Sequence, residues 1–256
     1  MPAARFRYVQ SRLQARHGRR PRESDWRLLE ATEDLGGYLQ AARRTCFENW
    51  IHHLAADADA HQVESAFRQD WLAYCREVGR WLPDEWVPAV EWAATIVHFP
   101  MIVHLARGEP AWRWMRDDDV LAAFAVQDPE VRRQALGLSD FRALAEAVAE
   151  GAEPLPAWLD IWLALAPPGA GAERERMAAL AAVLVRHLAP TSAEASPAQR
   201  RAPFEHALNR CFRRWAGSVG AVFCHLGLIA LDAERLRAGL VLRTLLPRAA
   251  GRPQWA

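Results

Sequence analysis

One stretch constrains this chain more than any other: "LIALDAERLRAGLVLR", residues 228–243. It holds no proline, and its apolar residues return at intervals of three and four, the spacing of one α-helical face. Yet it carries Asp232, Glu234, Arg235, Arg237 and Arg243. Asp232 with Arg235, and Glu234 with Arg237, stand three apart, so each pair can bridge along one helix surface. Asp232 and Glu234 point to different faces, which excludes a paired-carboxylate acid–base site. Two readings follow: a solvated or internally paired face, or a polar lining that grips a partner helix. Gly239 inside this helix costs ~1 kcal/mol against Ala, which points to close approach of another helix there.

The rest of the chain follows the same period. Ala, Leu, Arg and Glu dominate at helical spacing, and no alternating β-branched run is bounded by tight turns. The expected fold class is therefore all-α, a helical bundle. Helices are expected at 3–17, 24–31, 34–45, 61–82, 86–107, 118–126, 139–149, 156–165, 172–188, 198–215 and 219–246. "RHGRRPRES", "LPDEWVP", "APPGAGA" and "APTSAEASPA" supply the breaks. The Trp-rich run "EVGRWLPDEWVPAVEW" reads mainly as core.

Charge excludes little. The chain of 256 residues has a formal net charge of +1, so no global field favours nucleic acid or an acidic partner. All 32 basic residues are Arg, which accords with a coding bias and gives bidentate pairing and ring stacking. Twelve Trp residues offer the rings. Cys46, Cys75, Cys211 and Cys224 form no C-x-x-C pair and read as reduced, mostly buried thiols of a cytosolic protein. The first twenty residues are broken by Arg5, Arg7, Arg12, Arg16, Arg19 and Arg20, unlike a signal peptide. The uncharged run Trp215–Leu231 is interrupted by Gly, Ser and His and falls short of a membrane span. The expected location is cytoplasmic, with at most a peripheral position on the inner face of a membrane.

Three passages recur in order. "SDWRLLEA" at 24–31 returns as "SDFRALAE" at 139–146, and "NWIHHL" at 49–54 as "AWLDIW" at 157–162. "VESAFRQDWLAY" at 63–74 returns as "FEHALNRCFRRW" at 204–215, pairing Glu64 with Glu205 and Trp71 with Phe212. A duplicated helical unit packs against its twin. The expected organisation is a basic N-terminal helix at 1–23, repeat 1 at 24–110, and connecting helices at 111–138. Repeat 2 follows at 139–247 with an insert at 166–197, then a flexible tail at 248–256.

The order of motifs resembles the C/d subunit of V-type and A-type rotary ATPases. An Arg-rich first helix, "ARFRYVQSRLQAR", leads into "DWRLLEATEDLGGYLQAARRTCFENWI". Phe47 stands where that family has Tyr, Glu64 starts the next helix, and "AERLR" with Arg237 resembles the family's closing acidic–Arg helix. The resemblance covers most of the chain and is best at 3–75 and 200–246. It implies a helical funnel of pseudo-repeats, a non-catalytic adaptor that rests on the membrane rotor ring and holds the foot of the central shaft. This chain is shorter, with two copies instead of three, and "PMIVHL" (Pro100 to Leu105) replaces the polar step of copy one. A two-copy relative would form an open cleft or partial funnel.

The candidate partner-binding residues are thus Asp232, Glu234, Arg235, Arg237 and Arg243, facing stalk or ring subunits of a rotary ATPase. Arg5, Arg12, Arg16 and Arg19 follow one side of the first helix and are candidates for membrane or anion contact. The alternative function is an Arg-rich helical nucleic-acid-binding or regulatory module. No catalytic constellation stands out, and neither cofactor nor metal is expected. His52, His53 and His61, and His98 and His104, lack ligand spacing. Asp57, Asp59 and Asp117–Asp119 read as helix caps.

Overall fold

The computed structural model describes residues 2–188 and 197–245, with side chains from residue 6 and, after the gap, from residue 201. The described chain is all helical, as expected. Its helices are α1 (Pro2–His17), α2 (Glu23–Glu30), α3 (Leu35–Arg43), α4 (Glu48–Ile51), α5 (Ala60–Gly79), α6 (Val87–Ala94), α7 (Phe99–Ala106), α8 (Pro129–Gly137), α9 (Arg142–Ala149), α10 (Pro154–Ala164), α11 (Gly171–Leu188), α12 (Pro197–Arg214) and α13 (Val219–Leu245). Short 3-10 turns occupy Asp84–Trp86, Thr95–Val97 and Arg113–Asp117.

The chain divides into two compact units, 1–74 with 208–256, and 75–207. Expected repeat 1 therefore begins in the first unit and ends in the second, and repeat 2 does the reverse. The equivalent Trp residues differ in setting: Trp50 lies in a four-residue helix and Trp158 in one of eleven. The expected tail at 248–256, and residues 189–196 of the expected insert, lie outside the described residues.

In the first unit, α13 is the central element. It packs against α1 and α3, while α3 also meets α2 and α4. Leu236 and Leu240 of α13 are fully buried among Leu29, Tyr38, Leu39, Ile51 and Val63. α1 lays Val9 and Leu13 into the core, and both are buried. Gln10 accepts a hydrogen bond from the Gly217 N–H (2.7 Å), and Arg20, just past the end of α1, meets Asp232. The two contacts advance together along the sequence, so α1 and α13 run in the same direction. Asp59 caps α5 as expected: its carboxylate accepts from the Gln62 N–H (2.8 Å), and the Gln62 side chain accepts in return from the Asp59 N–H (2.9 Å).

The second unit centres on stacked indoles. Trp92 of α6 and Trp158 of α10 lie 5.9 Å apart, and Trp162 continues the stack. The Trp92 Nε1–H donates to the Trp158 carbonyl (2.9 Å), and the Trp158 Nε1–H donates to the Thr95 hydroxyl (3.1 Å). Trp92 and Trp158 thus bury their apolar bodies without stranding their N–H groups. Trp81, Trp86 and Trp92 are all buried, in accord with the core reading of that run.

Two expectations are corrected here. The helix expected at 86–107 is broken at Thr95–His98 into α6 and α7, which are bent by 69°. Pro100, in the first turn of α7, has no N–H to continue the helix and cannot tolerate a preceding turn behind it. No helix forms over 118–126 either. The Asp118 carboxylate accepts from the Val120 and Leu121 N–H groups (both 3.1 Å) and holds a turn instead. The helix of that region is α8, capped by Asp128 and opened by Pro129. Among the described residues, no single helix is long and apolar enough to cross a membrane. The α6–α7 pair would qualify only as a bent span.

Candidate functional site

The five charged residues singled out on α13 do not pair with one another. Four of them reach to other elements of the same unit. Asp232 receives Arg20 in two parallel hydrogen bonds, Nε at 2.7 Å and Nη2 at 3.0 Å. The side chains are only 10% and 8% exposed, so the pair is a largely desolvated fork-to-fork contact. Arg235 lies 4.4 Å over the Trp26 ring and donates to Glu30 of α2 through Nε at 3.0 Å. Arg237 pairs with Glu64 of α5.

Arg243 acts differently, on backbone. Its Nε donates to the Thr32 carbonyl (2.9 Å), and an Nη atom reaches the Leu29 carbonyl (3.3 Å). These carbonyls lie at and just past the end of α2, where backbone acceptors are left open; that of Leu29 also accepts from the Thr32 N–H (3.1 Å). The same guanidinium lies 4.1 Å over the Tyr38 ring. Arg243 therefore caps α2 with a cation at the negative end of its dipole. Burial raises the Tyr38 hydroxyl to about 12 despite the opposing charge of Arg243.

Glu234 alone of the five points outward, with no hydrogen bond or ion pair among the described residues. The expected bridges Asp232–Arg235 and Glu234–Arg237 thus do not form. Each side chain finds a better partner on a neighbouring element, or none.

A second polar group lies further back on α13. His225 is fully buried, and its Nε2 meets the Tyr74 hydroxyl of α5 at 2.7 Å. Burial, followed by the charges of His17, Arg20 and Arg16, holds its pKa down at about 3. His225 is therefore a neutral hydrogen-bonding group at ordinary pH. His17 of α1 stacks on Phe212 of α12 (4.5 Å) and is lowered too, by burial and then by Arg20 and Arg213.

The N-terminal arginines separate. Arg12 donates to the Tyr8 hydroxyl (2.9 Å) and lies 5.7 Å over its ring. Arg16 is half-buried, 5.7 Å over the Tyr74 ring. Arg19 is exposed, and the Arg5 side chain lies outside the described residues. The arginine stripe therefore borders the buried face of α1, and its middle turns partly inward.

Comparison with protein-family models, curated proteins and solved structures finds no match. The chemistry of the site then rests on geometry alone. In the second unit, His98 is buried with its Nε2 3.2 Å from Asp118. Burial by itself would raise the Asp118 carboxyl. The hydrogen bond and charge of His98, with the two turn N–H groups, outweigh it and hold the group at about 2. Arg132, also buried, donates to the Val126 carbonyl (2.7 Å) and to that of Glu109. Both pairs pin the loop between α7 and α8 and are structural.

Sequence reading missed Arg20, Glu30, Glu64, Tyr74 and His225 as the partners that matter. Arg20 and Glu64 stand out in the sequence for other reasons, and His225 only as a polar residue inside the apolar run that opens α13.

Proposed function

We propose that this chain is a non-catalytic helical adaptor, similar in kind to the C/d subunit of rotary ATPases, which receives a protein partner along α13. The observation that carries the proposal is the outward stripe of that helix. Glu234, Ala238, Leu242 and Leu245 are all exposed at helical spacing, Leu242 by 54% and Leu245 by 65%. Two large apolar side chains on one line, with a carboxylate two turns behind the first, suit an amphipathic partner helix with a basic residue at the matching end. The inward charges support the same reading. Arg235, Arg237, Arg243 and Asp232 fix the rotation of α13 about its axis, so the stripe is held in one orientation before any partner arrives.

On this proposal the partner is a stalk or rotor-ring subunit, the two repeated passages are remnants of the family's pseudo-repeats, and the protein works at the cytoplasmic face of a membrane. Exposed Arg19 would meet acidic head groups there.

The test uses the full chain with purified shaft and ring subunits of a rotary ATPase from the same organism, and binding calorimetry. Leu242→Asp with Leu245→Asp should abolish binding while circular dichroism stays unchanged. Binding that survives the double substitution would overturn the assignment of the stripe. Absence of binding by the wild type would overturn the rotary-ATPase partner. Duplex DNA binding that weakens steeply with salt, and is lost on changing Arg12, Arg16 and Arg19 to Ala, would favour the nucleic-acid module instead.

A further inference from the structure

α12 and α13 form an antiparallel hairpin, and two contacts fix its register. A Cβ placed on Gly227 would lie 3.1 Å from Cδ1 of Leu208, so this glycine lets the helices approach closely. One turn away, nearer the connecting loop, Cys211 of α12 and Cys224 of α13 occupy the matching positions. Each thiol perturbs the titration of the other, so the two side chains face one another across the helix pair. Among the described residues these are the two cysteines in mutual contact; Cys75 is buried and Cys46 lies exposed.

We propose that Cys211 and Cys224 are a redox modification site, a dithiol that reacts with a low-molecular-weight disulfide to cross-link α12 to α13. The two sulfurs have different parts. Cys211 is the accessible member, half-buried, where Cys224 is fully buried. Burial raises the Cys211 thiol, but Arg210 and Arg214 on the same helix, together with the neighbouring Cys224 thiol, draw it back. Burial drives the Cys224 thiol well above its ordinary range with no cation to oppose it. Cys211 is accordingly the attacking group.

The Cys211 thiolate attacks one sulfur of glutathione disulfide, forming a mixed disulfide and releasing one glutathione thiolate. Cys224 then loses its proton to solvent base and attacks the Cys211 sulfur. The bond from Cys211 to glutathione breaks, the second glutathione leaves as thiolate, and the Cys211–Cys224 disulfide remains. Two protein thiols are oxidised and one small disulfide is reduced to two thiols. Cys46 has no thiol neighbour among the described residues; although the residue is exposed, its sulfur is partly covered, and that cover with the charges of Asp232 and Asp25 raises it to about 11. It can end only as a mixed disulfide.

The experiment incubates the folded full chain with oxidised glutathione, quenches with acid, and measures intact mass and disulfide-linked peptides. The expected result is loss of two hydrogens with no retained glutathione at Cys211, and a linked peptide pair holding Cys211 and Cys224. Cys46→Ser should give the same link. Cys224→Ala should instead keep glutathione on Cys211, and Cys211→Ala should leave Cys224 unmodified. The oxidised wild type should melt at higher temperature and return on reduction. A folded wild type that carries only mixed disulfides, links a different pair, or forms the link only in denaturant would overturn the proposal. The wild-type peptide map decides it even where a cysteine variant folds poorly. This site is independent of the adaptor reading, since no partner protein enters the measurement.

Discussion

Tyr38 lies against the bare backbone of Gly239, so close that an added Cβ would stand 2.3 Å from the Tyr38 hydroxyl oxygen. That contact joins α3 to α13 and lets Arg243, one turn along, reach over the same ring. Gly239 therefore exchanges about 1 kcal/mol of helix propensity for close packing.

Gly239→Ala should destabilise the protein by about 1–3 kcal/mol in spite of its better helix propensity, because the ring cannot move without disturbing Arg243. Tyr38→Phe removes the nearest atom and should recover part of the loss. A double-mutant cycle by urea unfolding reads the coupling, and additive effects would contradict the contact.

Asp232→Ala should cost about 3–5 kcal/mol, since it removes the carboxylate that the largely buried Arg20 guanidinium grips in two hydrogen bonds. Replacing both, Arg20→Met with Asp232→Leu, should cost less than Asp232→Ala alone. Arg237→Ala, from a pair that is about one-third exposed, should cost only ~0.2–1 kcal/mol. Chemical denaturation of these three variants checks the order.

His225 gives the first unit an acid-sensitive limb. Its folded-state pKa of about 3 lies below the ordinary histidine value of 6.5, so the unfolded chain binds the proton more readily. Stability conferred by the neutral ring is present above about 6.5 and is lost as pH falls toward about 3. Unfolding free energy measured between pH 7 and 4 should therefore decline, and His225→Phe should flatten the decline while lowering stability at pH 7 by ~1–3 kcal/mol through the lost Tyr74 contact.

In the second unit, Arg132→Met should destabilise by about 1–3 kcal/mol, because the Glu109 and Val126 carbonyls lose a buried donor. Hydrogen exchange should report the change first in residues 108–128. Uniform deprotection of the whole chain would show instead that the arginine is not a local pin.

The helical character is legible because the period of α13 runs unbroken from Val219 to Leu245. So is the close approach at Gly239, from the cost of a glycine inside a helix. The break before α7 is signalled by Pro100, but the apolar run around it masks the signal. α8 is signalled by Asp128–Pro129, while "DDDVLAAFA" has good helix formers but gives up Asp118 to His98 and to a turn. The candidate site is legible only in composition. Arg235, Arg237 and Asp232 carry no mark of Glu30, Glu64 and Arg20, which stand far back in the sequence and become neighbours only through the fold. Local spacing suggests pairs three residues apart. Arg20 wins Asp232 in a largely buried setting, and Glu64 meets Arg237 in a partly buried one, where the lower effective dielectric strengthens attraction. Arg235 reaches the more exposed Glu30 while lying over the Trp26 ring.

The first unit is built from both ends of the chain, residues 1–74 and 208–256, with residues 75–207 between them. A ribosome emits α1 long before α13 exists. At ~5–20 residues per second, the early helices wait on the order of ten seconds for the strut that completes their core. Through that interval Leu29, Tyr38 and Phe47 lack their final cover, while the intervening segment is already free to fold. Nascent-chain handling of the N-terminal third is thus written into the topology, and slowed synthesis would lengthen the exposure of those side chains to chaperones and to one another.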